Sequence, residues 1–107
     1  MAYLYILECE GDTLYTGITT DIEKRLRDHR ERRPACAKYT RSHPMKRLAA
    51  LWETDTYDHA RKGEYAVKRL PRRKKDQLVA HPELLAALCP GLSAVKFEPL
   101  SVEERRG

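Results

Sequence analysis

The chain has 107 residues, enough for one domain with one modest core. Its hydrophobic fraction of 41% is ordinary for a soluble protein, and no apolar run approaches the length that crosses a bilayer, so no membrane association is expected. The net charge of +5 is unevenly spread: residues 24–75 hold eighteen Lys and Arg against six Asp and Glu, and the remainder hold three against ten. A surface selected only for solubility mixes the signs. This segregation points to a polyanionic partner, nucleic acid first; the plainer alternative is a set of solvated helix faces with no ligand. Three cysteines without Cys-x-x-Cys spacing (Cys9, Cys36 and Cys89) argue against a disulfide framework or a zinc cluster. They read as small apolar fillers, and the expected compartment is a reducing cytoplasm.

Along the chain, YLYILE at 3–8 and TLYTGI at 13–18 have strand character, and the EGD between them is a turn signal, so a β-hairpin opens the fold. Asp21 is a good N-cap for a helix over 21–31. RRPACAKYTRSHP is a basic loop with room for one helical turn, and KRLAALWE gives a third strand over 46–53. A second helix is expected over 56–70 with Tyr57, Ala60, Glu64, Val67 and Leu70 facing inward. Gly63 inside it weakens the helix by about 1 kcal/mol relative to Ala, which signals the close approach of a neighbour. Pro71 suits the start of a further helix and Pro82 another through Leu88; the tail after CPGL either frays or docks as a strand. The fold class is therefore α+β, a three-stranded antiparallel sheet flanked by helices.

One feature of the first helix is out of place. Its inward stripe is Ile22, Arg25, Leu26 and His29, and the second helix adds Glu64. Charges on a core-facing stripe are either paired or put to use. An Arg25–Glu64 ion pair with His29 as a satisfied polar residue is one reading; a site is the other.

The hairpin bears on that choice. Tyr3-Leu4-Tyr5 and Tyr15-Thr16-Gly17, followed by Arg25 eight residues after Gly17, His29 four later and Glu64 within ARKGEYAVKRL, resemble the GIY-YIG nuclease family in order and spacing, over roughly residues 1–76. The wording is similar to the small stand-alone bacterial branch. The resemblance implies a GIY-YIG nuclease-like domain over 1–76, with 77–107 a helical extension and tail. It implies an endonuclease that hydrolyses phosphodiester bonds, with DNA favoured and repair or recombination as the setting. Tyr5 would be the general base, Tyr15 would help place the water, Arg25 would bind phosphate, and His29 would relay a proton or orient a tyrosine. Glu64 would hold Mg²⁺ or Mn²⁺. A nucleic-acid-binding module with little or no catalysis is the alternative. Gly17 allows close approach of backbone or phosphate. Lys38, Tyr39, Thr40 and Arg41, with the cluster Arg72, Arg73, Lys74 and Lys75, are candidates for nucleic-acid contact, Tyr39 by stacking. His43, His59 and His81 show no ligand spacing and read as surface residues. Two departures stand out: Tyr3 occupies the place of the family's leading glycine, and the chain has no asparagine, where many members carry one near the end of the domain.

Overall fold

The computed structural model describes residues 1–33 and 38–102; Cys36 and part of the basic loop lie outside them. β1 (Ala2–Cys9) and β2 (Thr13–Thr19) form the expected hairpin, and β3 (Met45–Thr54) pairs antiparallel with β1 on its other side. The sheet has four strands rather than three, in the order β2-β1-β3-β4, because Glu98–Pro99 adds β4 to β3. Two residues, one of them proline, give only a weak strand signal, and of the two courses expected for the tail it takes the docked one. Their pairing is set by neighbours: Thr54 Oγ1 donates to the Lys96 carbonyl at 2.8 Å, and the Leu100 N–H donates to the Leu51 carbonyl at 2.9 Å.

α1 (Ile22–Arg30) starts as expected at Asp21, whose carboxylate accepts from the Lys24 N–H. The described part of the basic loop forms a short helix, α2 (Lys38–Ser42). α3 (Tyr57–Lys68) is capped by Thr56, and α4 (Arg72–Ala80) follows. A 3-10 turn at Pro82–Leu84 leads into α5 (Leu85–Leu88). Among the described residues no helix is long and apolar enough to cross a membrane.

The period-2 alternation of β1 sorts its side chains onto two faces. Leu4 and Ile6, with Ala50 and Trp52 of β3, pack beneath Val67 of α3, Leu78 of α4, Leu85 of α5 and Leu92. Tyr5, Leu7 and Cys9, with Leu51, pack beneath Ile22 and Leu26 of α1. The buried line of α3 is Ala60, Gly63 and Val67; Tyr57, read as inward-facing, is exposed. The helix is turned so that its smallest residue meets the sheet. A Cβ on Gly63 would stand 2.7 Å from Phe97 Cζ and 2.9 Å from Leu4 Cδ2, which is the close approach the sequence signalled. Cys9 and Cys89 are buried, and burial pushes the Cys9 thiol up to about 11.

Candidate active site

The β1–β2 register sets Tyr5 opposite Gly17 and Leu7 opposite Tyr15, so the two phenols are diagonal neighbours on one face, ring centroids 6.4 Å apart. Gly17 makes the room: a Cβ there would lie 2.5 Å from Tyr5 Oη and 3.0 Å from Tyr15 Cε2. Arg25 and His29 are one turn apart on α1 and reach the same point. His29 Nε2 is 2.8 Å from Tyr5 Oη, and the Arg25 Nε–H donates to the same oxygen over a long 3.4 Å. On the far side of the imidazole, Nδ1 meets Thr40 Oγ1 at 2.7 Å.

His29 and Thr40 are fully buried. Burial, with the Arg25 charge adding to it, pushes His29 down to about 4, so the ring is neutral at pH 7. A neutral ring has one N–H. The assignment that gives each proton a partner has Nδ1–H donating to Thr40 and Tyr5 O–H donating to Nε2, with Arg25 donating to Tyr5. Burial also holds Tyr5 far above the usual phenol range, partly opposed by the Arg25 hydrogen bond. Tyr15 is raised too, first by burial, with Lys68 and Arg25 opposing. Exposure divides the phenols: Tyr5 is fully buried, and Tyr15 is half-buried.

Glu64 enters from elsewhere. α3 packs on the Leu4 face, opposite Tyr5, but β2 is the edge strand. The Glu64 charge raises both phenols, so its field is felt across that edge. Its partner is Lys68, 3.3 Å away on the same helix, where an Arg25–Glu64 pair was one expectation. The carboxylate side chain keeps 23% of its surface exposed. Among the described residues no group of three or more His, Cys, Asp and Glu gathers to hold a metal. A single part-exposed carboxylate nonetheless fits a cation of the Mg²⁺ or Mn²⁺ type, which keeps several waters and takes phosphate oxygens as ligands.

The proposed nucleic-acid contacts sort by environment. Lys38, Arg41 and Arg73 are exposed, and Lys74 and Lys75 are half-buried. Arg72 is engaged by Asp76 at 2.8 Å and by the Asp12 carbonyl and carboxylate at 2.7 and 3.1 Å, where it braces the hairpin turn. α4 packs on the Trp52 face, away from Tyr5. Tyr39 is already stacked, on Tyr15 at 5.7 Å and on His43 at 4.4 Å, and so walls the site. Thr40, read as a surface contact, is instead the buried partner of His29, and His43 is half-buried against Tyr39 rather than a plain surface residue. Thr40 depends on a partner eleven residues away on α1, which has no local signal, whereas the His43–Tyr39 stack is four residues apart. Asp28 was also missed. It is 2% exposed and held down in pKa, chiefly by a hydrogen bond from Lys24 at 3.1 Å; the (i, i+4) spacing was a usable signal.

A buried tyrosine and histidine with a half-buried arginine, on a hairpin and the following helix, make the centre of the candidate site of this small α+β domain. The chain belongs to the GIY-YIG catalytic domain family, whose model matches residues 1–77. It is 46% identical over 78 residues to UPF0213 protein BH0048 of Halalkalibacterium halodurans, covering 73% of this chain and 81% of that one. UPF0213 protein H16_B0156 of Cupriavidus necator is 45% identical, covering 68% and 77%. A solution NMR structure of UPF0213 protein BH0048 from Bacillus halodurans superposes with a TM-score of 0.48 at 45% identity, covering 75% of this chain and 84% of that one.

Proposed function

We propose that the protein is a metal-dependent endonuclease that hydrolyses phosphodiester bonds in nucleic acid, DNA in the first instance. The observation that carries this is the Tyr5 hydroxyl, held between a neutral His29 Nε2 at 2.8 Å and the Arg25 Nε–H at 3.4 Å. A phenol this far above its usual range is a poor base alone. Beside a neutral imidazole it becomes a relay: Tyr5 accepts a proton from the attacking water as its own passes to Nε2. The water oxygen bonds to phosphorus, the bond to the leaving sugar oxygen breaks, and that oxygen takes a proton from solvent. Arg25 has two uses in turn. Its long bond to Tyr5 is near the limit of hydrogen bonding, so a phosphate displaces it cheaply, which opens the buried hydroxyl and sets the guanidinium on the phosphate oxygens. Glu64 would hold a divalent cation, which would supply charge neutralisation for the reaction. Tyr15 and Tyr39 wall the opening.

A second reading, a binding module that keeps the scaffold without cutting, draws on the complete burial of Tyr5. One experiment separates them: cleavage of single-stranded, duplex and branched DNA with Mg²⁺ or Mn²⁺ by wild type, Tyr5→Phe and Glu64→Gln. The enzyme reading expects metal-dependent cutting that falls at least about 10²-fold in each variant, with binding kept. Wild-type protein inert on every substrate, or a Glu64→Gln variant that cuts normally, overturns it.

A further inference from the structure

The outward face of α3 carries Tyr57, Arg61 and Tyr65, and the C-cap Arg69 continues them, each four residues from the next, so they form one line along the helix. The Arg61 guanidinium lies 5.5 Å from the Tyr57 ring centroid, and that of Arg69 lies 5.2 Å from the Tyr65 ring and donates to its hydroxyl at 2.8 Å. Tyr57 is 44% and Tyr65 65% exposed; with Met1 they are the exposed large hydrophobic residues among those described. Local support of the helix accounts for each arginine–tyrosine contact taken alone. It does not account for two rings kept in water on a single line, nor for where that line runs.

Two clefts border the line. Tyr57 lines a polar one of about 450 Å³ together with Lys24 and Arg25, the residue that touches Tyr5. Arg61, Tyr65 and Arg69 border a larger one of about 790 Å³, floored by Leu70, Leu88 and Leu92. Twelve residue steps lead from Tyr57 to Arg69, about 18 Å at the α-helical rise. We propose that this line is a track for an unpaired nucleic-acid strand leading into the Arg25 cleft. The inference rests on the reading of the site as one that acts on nucleic acid, and it adds the strand state of the substrate.

The chemistry favours a single strand. Each of its repeats offers one phosphate and one flat base, which match an arginine and a tyrosine in turn; a duplex hides its base faces. Asp58 pairs loosely with Arg61 at 3.7 Å and yields to a phosphate. Tyrosine and arginine also recur at protein interfaces. Continuity with the Arg25 cleft and the excess positive charge of residues 24–75 decide for nucleic acid.

The test is fluorescence anisotropy on the full chain with a labelled oligothymidylate and a blunt duplex of equal length. The Tyr57→Ala/Tyr65→Ala double variant should bind the single strand roughly ten-fold or more weakly, with duplex affinity and melting temperature little changed. The Tyr57→Phe/Tyr65→Phe variant, which keeps both rings, should bind as wild type. Unchanged single-strand affinity in the alanine variant, or equal losses on both probes, overturns the track. If wild type cleaves while the alanine variant binds normally, the track fails and the nuclease reading stands. If wild type binds neither probe at low salt, both fail, and the line is then a protein-binding face.

Discussion

Gly17→Ala tests the geometry of the site without assuming any activity. The added Cβ would stand 2.5 Å from Tyr5 Oη and 2.6 Å from Tyr5 Cζ. Ordinary contact begins near 3.5 Å, so one ring or one strand has to move by about 1 Å. The end of a side chain often swings away at little cost, but Tyr5 is fully buried and its hydroxyl is bonded to His29, itself fully buried. Overpacking of this kind costs about 1–3 kcal/mol. Stretching the buried hydrogen bond adds about 1 kcal/mol, giving about 2–4 kcal/mol in all. For a domain near this size, each kcal/mol lowers the melting temperature by about 4–8 °C. Urea and thermal melts of wild type and variant read this directly, and cleavage, where present, should fall about 10²-fold from the misplaced phenol. A variant as stable as wild type, within about 0.5 kcal/mol, refutes the close approach of Tyr5 to Gly17 and with it the arrangement of the site.

Thr40→Val keeps the shape of the side chain but removes the oxygen that meets His29 Nδ1, leaving a buried polar atom unpartnered. The expected loss is about 1–3 kcal/mol, with a changed His29 tautomer in ¹⁵N NMR, and Thr40→Ser should restore both; an unshifted His29 resonance rejects the role. His29 also sets a pH dependence. Its folded pKa, about 4, lies below the ordinary value of 6.5, so the unfolded chain binds the extra proton between them. Its contribution is full above about pH 6.5 and is lost as pH falls toward 4, up to about 3 kcal/mol. Urea melts at pH 4.5 and 7 should show that loss in wild type and much less of it in His29→Gln. Nucleic-acid affinity should fall steeply with salt, and Lys38→Ala or Arg41→Ala should each reduce the log–log slope by about one; a flat salt titration points to a different ligand.

Local chemistry in the chain was enough for most of the fold. Alternation in YLYILE and TLYTGI fixes the hairpin, Asp21 fixes the start of α1, and Gly63 marks where α3 meets the sheet. These signals act over one turn or one strand pair, so a sequence displays them. The fixed spacing from Tyr5 through Gly17 to Arg25 and His29 is equally local, a hairpin and the helix after it, which is why four members of the site are legible in the order of residues.

Longer loops broke that legibility. Thr40 meets His29 from eleven residues away across a loop, Tyr39 stacks on Tyr15 rather than awaiting a base, and Arg72 is drawn sixty residues back to Asp12. The orientation of α3 turned on which residue was small enough to touch Leu4 and Phe97, and that choice put Tyr57 and Tyr65 in solvent. The order of residues alone thus determined the hairpin, the start of α1 and the Tyr–Arg–His constellation. Glu64's pairing with Lys68, one helical turn away, is local, whereas tertiary packing decided the tautomer of His29, the fourth strand and the outward face of α3. The physical reason is that each of these depends on contacts whose partners are distant in the chain, and burial, which sets their energies, exists only once the faces of the sheet are covered.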